Sequence, residues 1–307
     1  MVGVGSRMIE TVLCATDFSE TADRALAQAR RFARRHEARL VLVHVIEAMP
    51  VSPYPILAAP EGDVPIRELV MARMDEIAIP IRESGVNVDL RIEIGLPGPQ
   101  LVEVAEAEDA GLVVLGTRGL TGIEHLLLGS SADYVVRRCD RPVLAVHPGD
   151  RVIGDRIEKI LVPTDLSGNA IAAAEAFIRL FGTVEQSHVD FVYADETPPY
   201  FAPFRHETLA RAGEPDAIRE TIETKMQPTV DALHEAGFEV EMHVLDGNPV
   251  EVVADFAAEN ASDLIMLSTH GRGAVANMFL GRTAQRIVQH AKCPVLTVRP
   301  ESPEEAD

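Results

Sequence analysis

This chain is written twice, and that duplication limits its fold more than any other feature. ETVLCATDFSE at Glu10–Glu20 returns as EKILVPTDLSG at Glu158–Gly168, with Asp17 and Asp165 148 residues apart. Later the separation is 152: Gly95 and Pro97 answer to Gly247 and Pro249, Gly119 to Gly271, Gly129 to Gly281, and Pro142 to Pro294. The drift of four places the longer insertion in the middle of the second copy. Solenoid periods run about 20–50 residues, so a repeat this long is a duplicated domain. The 307 residues thus divide into domains at 1–149 and 156–307, each long enough to bury its own core. Between them lies the Gly-, Pro- and charge-bearing segment Pro148–Arg156.

Within each copy, short apolar runs alternate with helical patterns. The first copy predicts strand Thr11–Ala15, then a helix from about Ser19 to Arg35 with Ala22, Ala25, Leu26, Ala29, Phe32 and Ala33 on one face. Strand Arg39–Ile46 follows, then the Pro-rich connection Met49–Pro65. A helix at Ile66–Glu83 turns Leu69, Val70, Met74, Ile77 and Ile81 inward. Strand Asn87–Ile94, helix Gln100–Glu108, strand Leu112–Leu115, helix Ser130–Arg138 and strand Val143–His147 complete the unit. The second copy predicts strands Ile160–Pro163, His188–Ala194, Glu239–Leu245, Leu264–Leu267 and Val295–Val298. Its helices are Asn169–Phe181, about Asp216–Ala236, Val250–Glu259 and Thr283–His290. Five strands alternating with four helices through long crossovers describe an α/β fold: two tandem doubly wound domains, each a five-stranded parallel sheet. Ligands in such sheets sit at the carboxyl ends of the strands.

At one of those ends the connection is unusually long. Gly116, Gly119, Gly122 and Gly129 punctuate the passage from Leu115 to Ser130, more than twice the usual 2–6 residues, and a loop of that length asks for a function. Glycine lets backbone N–H groups approach a ligand, while Ser130 and Ser131 open a helix whose first amides are unpaired and partly positive. Such a place holds an anion without a lysine.

Net charge −20 argues against nucleic acid and against an anionic membrane surface, since phosphate contacts need clustered Lys and Arg. It does not forbid a nucleotide held by local amides, and it suggests that Mg²⁺ accompanies the phosphates. Cys14, Cys139 and Cys293 show no CxxC spacing and suit buried thiols in a reducing compartment. MVGVGSRMIE lacks the pattern of a signal peptide, and no apolar run reaches membrane-spanning length, so the expected location is cytoplasmic.

ATDFSE at the first strand, the Gly-x-Pro pair at Gly95–Pro97, and G-x2-G-x9-G-S at Gly116, Gly119, Gly129 and Ser130 followed by RPVLAV resemble the universal stress protein family. The resemblance covers nearly the whole chain, twice, as in a tandem two-domain member with a Rossmann-like, adenine nucleotide α-hydrolase-like fold. It implies an ATP site: ribose and phosphates on Gly116, Gly119, Gly129 and Ser130, with Asp17 and a backbone contact at Val45 near the adenine. Ala15, Thr16, Arg118 and Ser131 flank these positions. Asp17 has a second reading, as a cap partner of Ser19 at the helix start, and both roles hold together. Single-domain relatives pair through their last strand, which implies an intrachain pseudo-dimer of the two copies and further association into a homodimer.

The second copy departs from this pattern. Pro163, Thr164, Asp165, Ala194, Gly271, Gly281 and Thr283 keep the corresponding places. Ser268 replaces the first glycine, and Arg282 stands where the first copy has Ser130. Arginine there either pairs with phosphate or fills the anion site itself. His44, His125 and His270 have no metal-ligand spacing, and Arg118 and Arg272 either contact phosphate or are solvated. Tyr193, Tyr200, Phe201 and Phe204 read as a loop packing its own cluster, with a lid or partner surface as the alternative. With no Walker lysine motif and no GxSxG elbow, the chain is expected to bind ATP as a stress-response module. The alternatives are slow ATP hydrolysis and a nucleotide-free scaffold whose second site takes another ligand.

Overall fold

The computed structural model describes residues 9–47, 66–119, 128–150, 153, 157–166, 180, 187–196, 215–235, 237–268 and 281–299. Its contacts divide these into a first unit, Ile9–Pro148, and a second unit from Gly149 onward.

The first unit runs β1 (Thr11–Ala15), α1 (Glu20–His36), β2 (Arg39–Glu47), α2 (Ile66–Glu83), β3 (Val88–Gly95), α3 (Pro97–Ala107), β4 (Leu112–Gly116), α4 (Ser130–Arg138) and β5 (Val143–Val146). Every described strand pairing is parallel, in the order β3-β2-β1-β4-β5. Val12, Leu13, Cys14, Val113 and Val114 are inaccessible to solvent because helices cover both sheet faces, which is why these strands read as continuous apolar runs.

Helix α1 follows from local chemistry. Ser19 in extended conformation caps it, its Oγ accepting from Ala22 N at 3.2 Å, with acidic residues in the first turn and Arg34, Arg35 and His36 in the last. All six apolar residues expected on its inner face are buried. Two of them, Leu26 and Phe32, contribute together roughly 3–6 kcal/mol by leaving water.

Two expectations need correction. Leu69 does not turn inward: it is 59% exposed, while Met74 and Ile81 are buried as expected, Val70 and Ile77 are half-buried, and Ala78 joins the buried face. Helix α3 starts three residues early, because Leu96 is its N-cap and Pro97 takes the first turn, where the missing N–H costs nothing.

The second unit contains β6 (Lys159–Thr164), β7 (His188–Asp195), α5 (Pro215–Glu235), β8 (Glu239–Asp246), α6 (Pro249–Glu259), β9 (Leu264–Ser268), α7 (Arg282–His290) and β10 (Val295–Val298). Its order, β10-β9-β6-β7-β8, is that of the first unit, and its described pairings are parallel. The expected helix Asn169–Phe181 and residues Tyr200, Phe201 and Phe204 lie outside the described residues; Tyr193 is half-buried on β7. Cys14, Cys139 and Cys293 are buried thiols, none of them in a disulfide. No helix among the described residues is long and apolar enough to cross a membrane.

Candidate functional site

Strand order reverses between β1 and β4. Chain leaving β1 goes to β2 on one side, and chain leaving β4 goes to β5 on the other, so the two carboxyl ends flank a crevice. The crevice is a cavity of about 300 Å³, and all ten first-copy residues expected from sequence line it: Ala15, Thr16, Asp17, Val45, Gly116, Arg118, Gly119, Gly129, Ser130 and Ser131. Pockets that hold small molecules start at about this size. Sequence reasoning missed part of its wall, including Val43, Glu47, Pro97, Leu101 and Thr117.

On the β1 side the chain makes a tight turn. Phe18 takes φ 65°, and its N–H donates to Thr16 Oγ1 at 3.1 Å; Ser19 N–H donates to Asp17 Oδ1 at 3.0 Å. Asp17 therefore fastens the start of α1 and also lines the cavity. A Cβ added to Gly119 would lie 2.5 Å from Asp17 Oδ2, so any side chain there would push the carboxylate aside. The same turn recurs in the second unit, where Leu166 has φ 63° and donates to Thr164 Oγ1 at 3.0 Å.

The turn also frees a backbone group. The ladder from β1 to β2 ends where Thr16 N donates to Val43 O at 2.8 Å; the next donor in a parallel ladder, Phe18 N, is diverted to Thr16 Oγ1. Val45 shares the backbone parity of Val43, so its peptide groups face the space that β1 has left. His44 is structural: its Nδ1 lies 2.8 Å from Thr16 O and its ring stacks on Phe18 at 4.6 Å.

The opposite wall is cationic in character. Gly129, extended at φ −69°, ψ 151°, is the N-cap of α4 and offers no side chain to cap it, so among the described residues no side-chain cap occupies the amides of the first turn. Gly129 N–H itself donates to Thr117 O at 2.8 Å, closing the loop on β4. Thr117 Oγ1 and Arg118 Nε are buried with no hydrogen-bond partner among the described residues, and both residues line the cavity. Buried orphans of this kind call for a partner. On β1 behind the cavity floor, burial pushes the Cys14 thiol well up from its ordinary value, aided by Asp23, so it is inert.

In the second unit, Pro163 and Thr164 end β6, Asp165 sits in the repeated turn, Ala194 is on β7 and Ser268 ends β9. Gly281 is the uncapped N-cap of α7, and Arg282 and Thr283 begin that helix, exposed. Ser268 Oγ is buried without a partner among the described residues. Gly271, Arg272, His125 and His270 lie outside the described residues.

A model of the universal stress protein family matches residues 8–147 and 156–299. A universal stress protein of Mycolicibacterium smegmatis is 25% identical over 300 residues, covering 94% of this chain and 97% of its own. One from Thermus aquaticus is 36% identical over 146 residues, spanning 46% of this chain and all of its own length. Among solved structures, a universal stress protein from Archaeoglobus fulgidus superposes with TM-score 0.65 at 19% identity over 94% of this chain and 96% of that one, a likeness of fold.

Proposed function

The chain belongs to the universal stress protein family, and on that premise we propose that its first unit binds one adenine nucleotide, ATP with Mg²⁺, as a regulatory module. The observation that carries this reading is the pairing, within one cavity, of the uncapped α4 amino terminus with the orphaned Thr117 and Arg118. These donors favour phosphate oxygens. A carboxylate accepts only, so Asp17 suits the N–H and O–H groups of the nucleoside and repels phosphate. The cavity thus has a direction: nucleoside toward Asp17, Val43 and Val45, phosphates toward Ser130 and Ser131. The resident metal would be held mainly by the phosphates and supplies charge neutralisation there; this chain's residues bind and orient.

The second unit is proposed to bind nucleotide weakly or not at all, because Ser268 puts a side chain where the first unit has Gly116, and Arg282 puts a long cationic one where it has the small Ser130. Mass spectrometry of ligand released from purified protein is expected to find one adenine nucleotide per chain. Gly129→Val tests the site, since valine tolerates the extended backbone of Gly129 and, among the described residues, an added Cβ meets Thr117 O alone, at 3.4 Å. The variant should fold and lose the nucleotide. Retention would show that the site is misassigned.

A further inference from the structure

The two units differ sharply at one other place, toward the amino ends of their second and third strands. In the first unit, Arg39 on β2 donates to Asp89 Oδ2 at 3.1 Å and to Glu108 Oε2 at 2.8 Å, and Arg91 on β3 reaches Glu108 Oε1 at 2.9 Å. Two guanidiniums and two carboxylates cancel. Strand register carries these positions into the second unit: Arg39 corresponds to His188, Val41 to Asp190, Asp89 to Glu241 and Arg91 to His243. Glu108, the C-cap of α3, corresponds to Asn260, the C-cap of α6. Both arginines have become histidines and a valine has become aspartate.

The resulting cluster converges. His188 Nε2 lies 3.3 Å from Asp190 Oδ1 and 3.7 Å from Glu241 Oε2, and the ligand atoms of these three residues all lie within 4.8 Å of one another. His243 Nε2 approaches the same Asp190 oxygen at 2.8 Å, with its ring against Phe256 at 4.8 Å. Asp190 is 5% exposed, His188 and His243 are half-buried, and Glu241 faces solvent. Ligand atoms about 2.1 Å from a tetrahedral zinc stand about 3.4 Å apart, close to the spacing here. Asp190 and Glu241 bring two carboxylates to this place without the two guanidiniums that balance Asp89 and Glu108 in the first unit. Lys159 on the neighbouring strand β6 donates its ammonium to Asn260 O at 3.0 Å.

We propose that His188, Asp190 and Glu241 form a site for a transition-metal dication of the zinc class, with His243 holding Asp190 in position as an outer hydrogen-bond partner. A dication replaces the charge balance that the two arginines supply in the first unit. It also ties β8, the edge strand of the second unit's order, to β7, and an open coordination place at exposed Glu241 is left to water. The site is separate from the crevice at the carboxyl strand ends and does not depend on what binds there.

The test is equilibrium dialysis of nucleotide-free, chelator-treated full-length protein against Zn²⁺, with Co²⁺ as a spectroscopic probe. One zinc per chain and a visible Co²⁺ absorption band that zinc abolishes are expected. Glu241→Gln changes an exposed carboxylate and preserves folding, and His188→Gln removes an imidazole at nearly equal size. Since losing even an outer partner of a metal ligand typically weakens binding 10–100-fold, each variant should weaken zinc at least about tenfold. His243→Gln should weaken it while leaving the Co²⁺ band in place. Absence of stoichiometric zinc, or zinc held equally by Glu241→Gln and His188→Gln with native circular dichroism, would overturn the proposal.

Discussion

Gly119→Ala tests the geometry of the nucleotide site at its tightest point. The new Cβ would lie 2.5 Å from Asp17 Oδ2, and an ordinary contact is about 3.5 Å, so the carboxylate must retreat by about 1 Å. It cannot do so freely, because Oδ1 accepts from Ser19 N at 3.0 Å and Ser19 caps α1. The backbone at Gly119 is not in the left-handed region, so alanine brings steric cost rather than backbone strain. A hydrogen bond to a charged group is worth about 1.5–3 kcal/mol, and displacing the Asp17 carboxylate from a nucleoside donor should weaken nucleotide by roughly ten- to a hundredfold. Isothermal titration with ATP and Mg²⁺ measures this directly. Asp17→Ala removes the obstacle along with the acceptor, so Gly119→Ala on that background should cost little more, a strongly coupled double-mutant cycle. Additive losses, or unchanged affinity in Gly119→Ala, would refute the argument that Asp17 and Gly119 form one wall of the site.

Two further outcomes follow from buried and bridging charges. Burial first, then Asp150 and Asp263, push the Cys293 thiol up to about 12 from 9.0. The folded thiol keeps its proton across that window while the unfolded chain loses one, so stability is intact below 9.0 and falls as pH rises toward 12; Cys293→Ala should flatten part of the decline in urea melts. Glu108, which bridges Arg39 and Arg91, is mostly buried while its partners are a third or more exposed. Glu108→Gln should therefore destabilise the first unit by only about 1 kcal/mol, less at high salt, measured by urea unfolding of the full chain.

The parts of the fold governed by local chemistry were legible in the sequence. β1, α2, α4 and β10 have their expected ends, because buried runs, caps and turns are coded within a few residues. The start of α3 was not, because its first turn, Pro97–Pro99, lies ahead of the apolar run and carries no side-chain cap to mark it. Leu69 misled because α2 covers β3 at the sheet's edge and buries a narrower stripe than its apolar residues suggest. The ten first-unit site residues converge because the glycine spacing and the strand ends are local signals. The histidine cluster escaped notice for the opposite reason. His188–Asp190 and Glu241–His243 are each an ordinary i, i+2 pair on one strand face, and only the pairing of β7 with β8, across about fifty residues of sequence, brings them together.

The proposed nucleotide site stands or falls with phosphate on the amino terminus of α4. Amide NMR of ¹⁵N-labelled protein titrated with ATP and Mg²⁺ addresses it at the atoms concerned. Large shifts at Gly119, Gly129, Ser130 and Ser131, absent in Gly129→Val, are the expected result. Saturable ATP binding that leaves those four amides unmoved would contradict it.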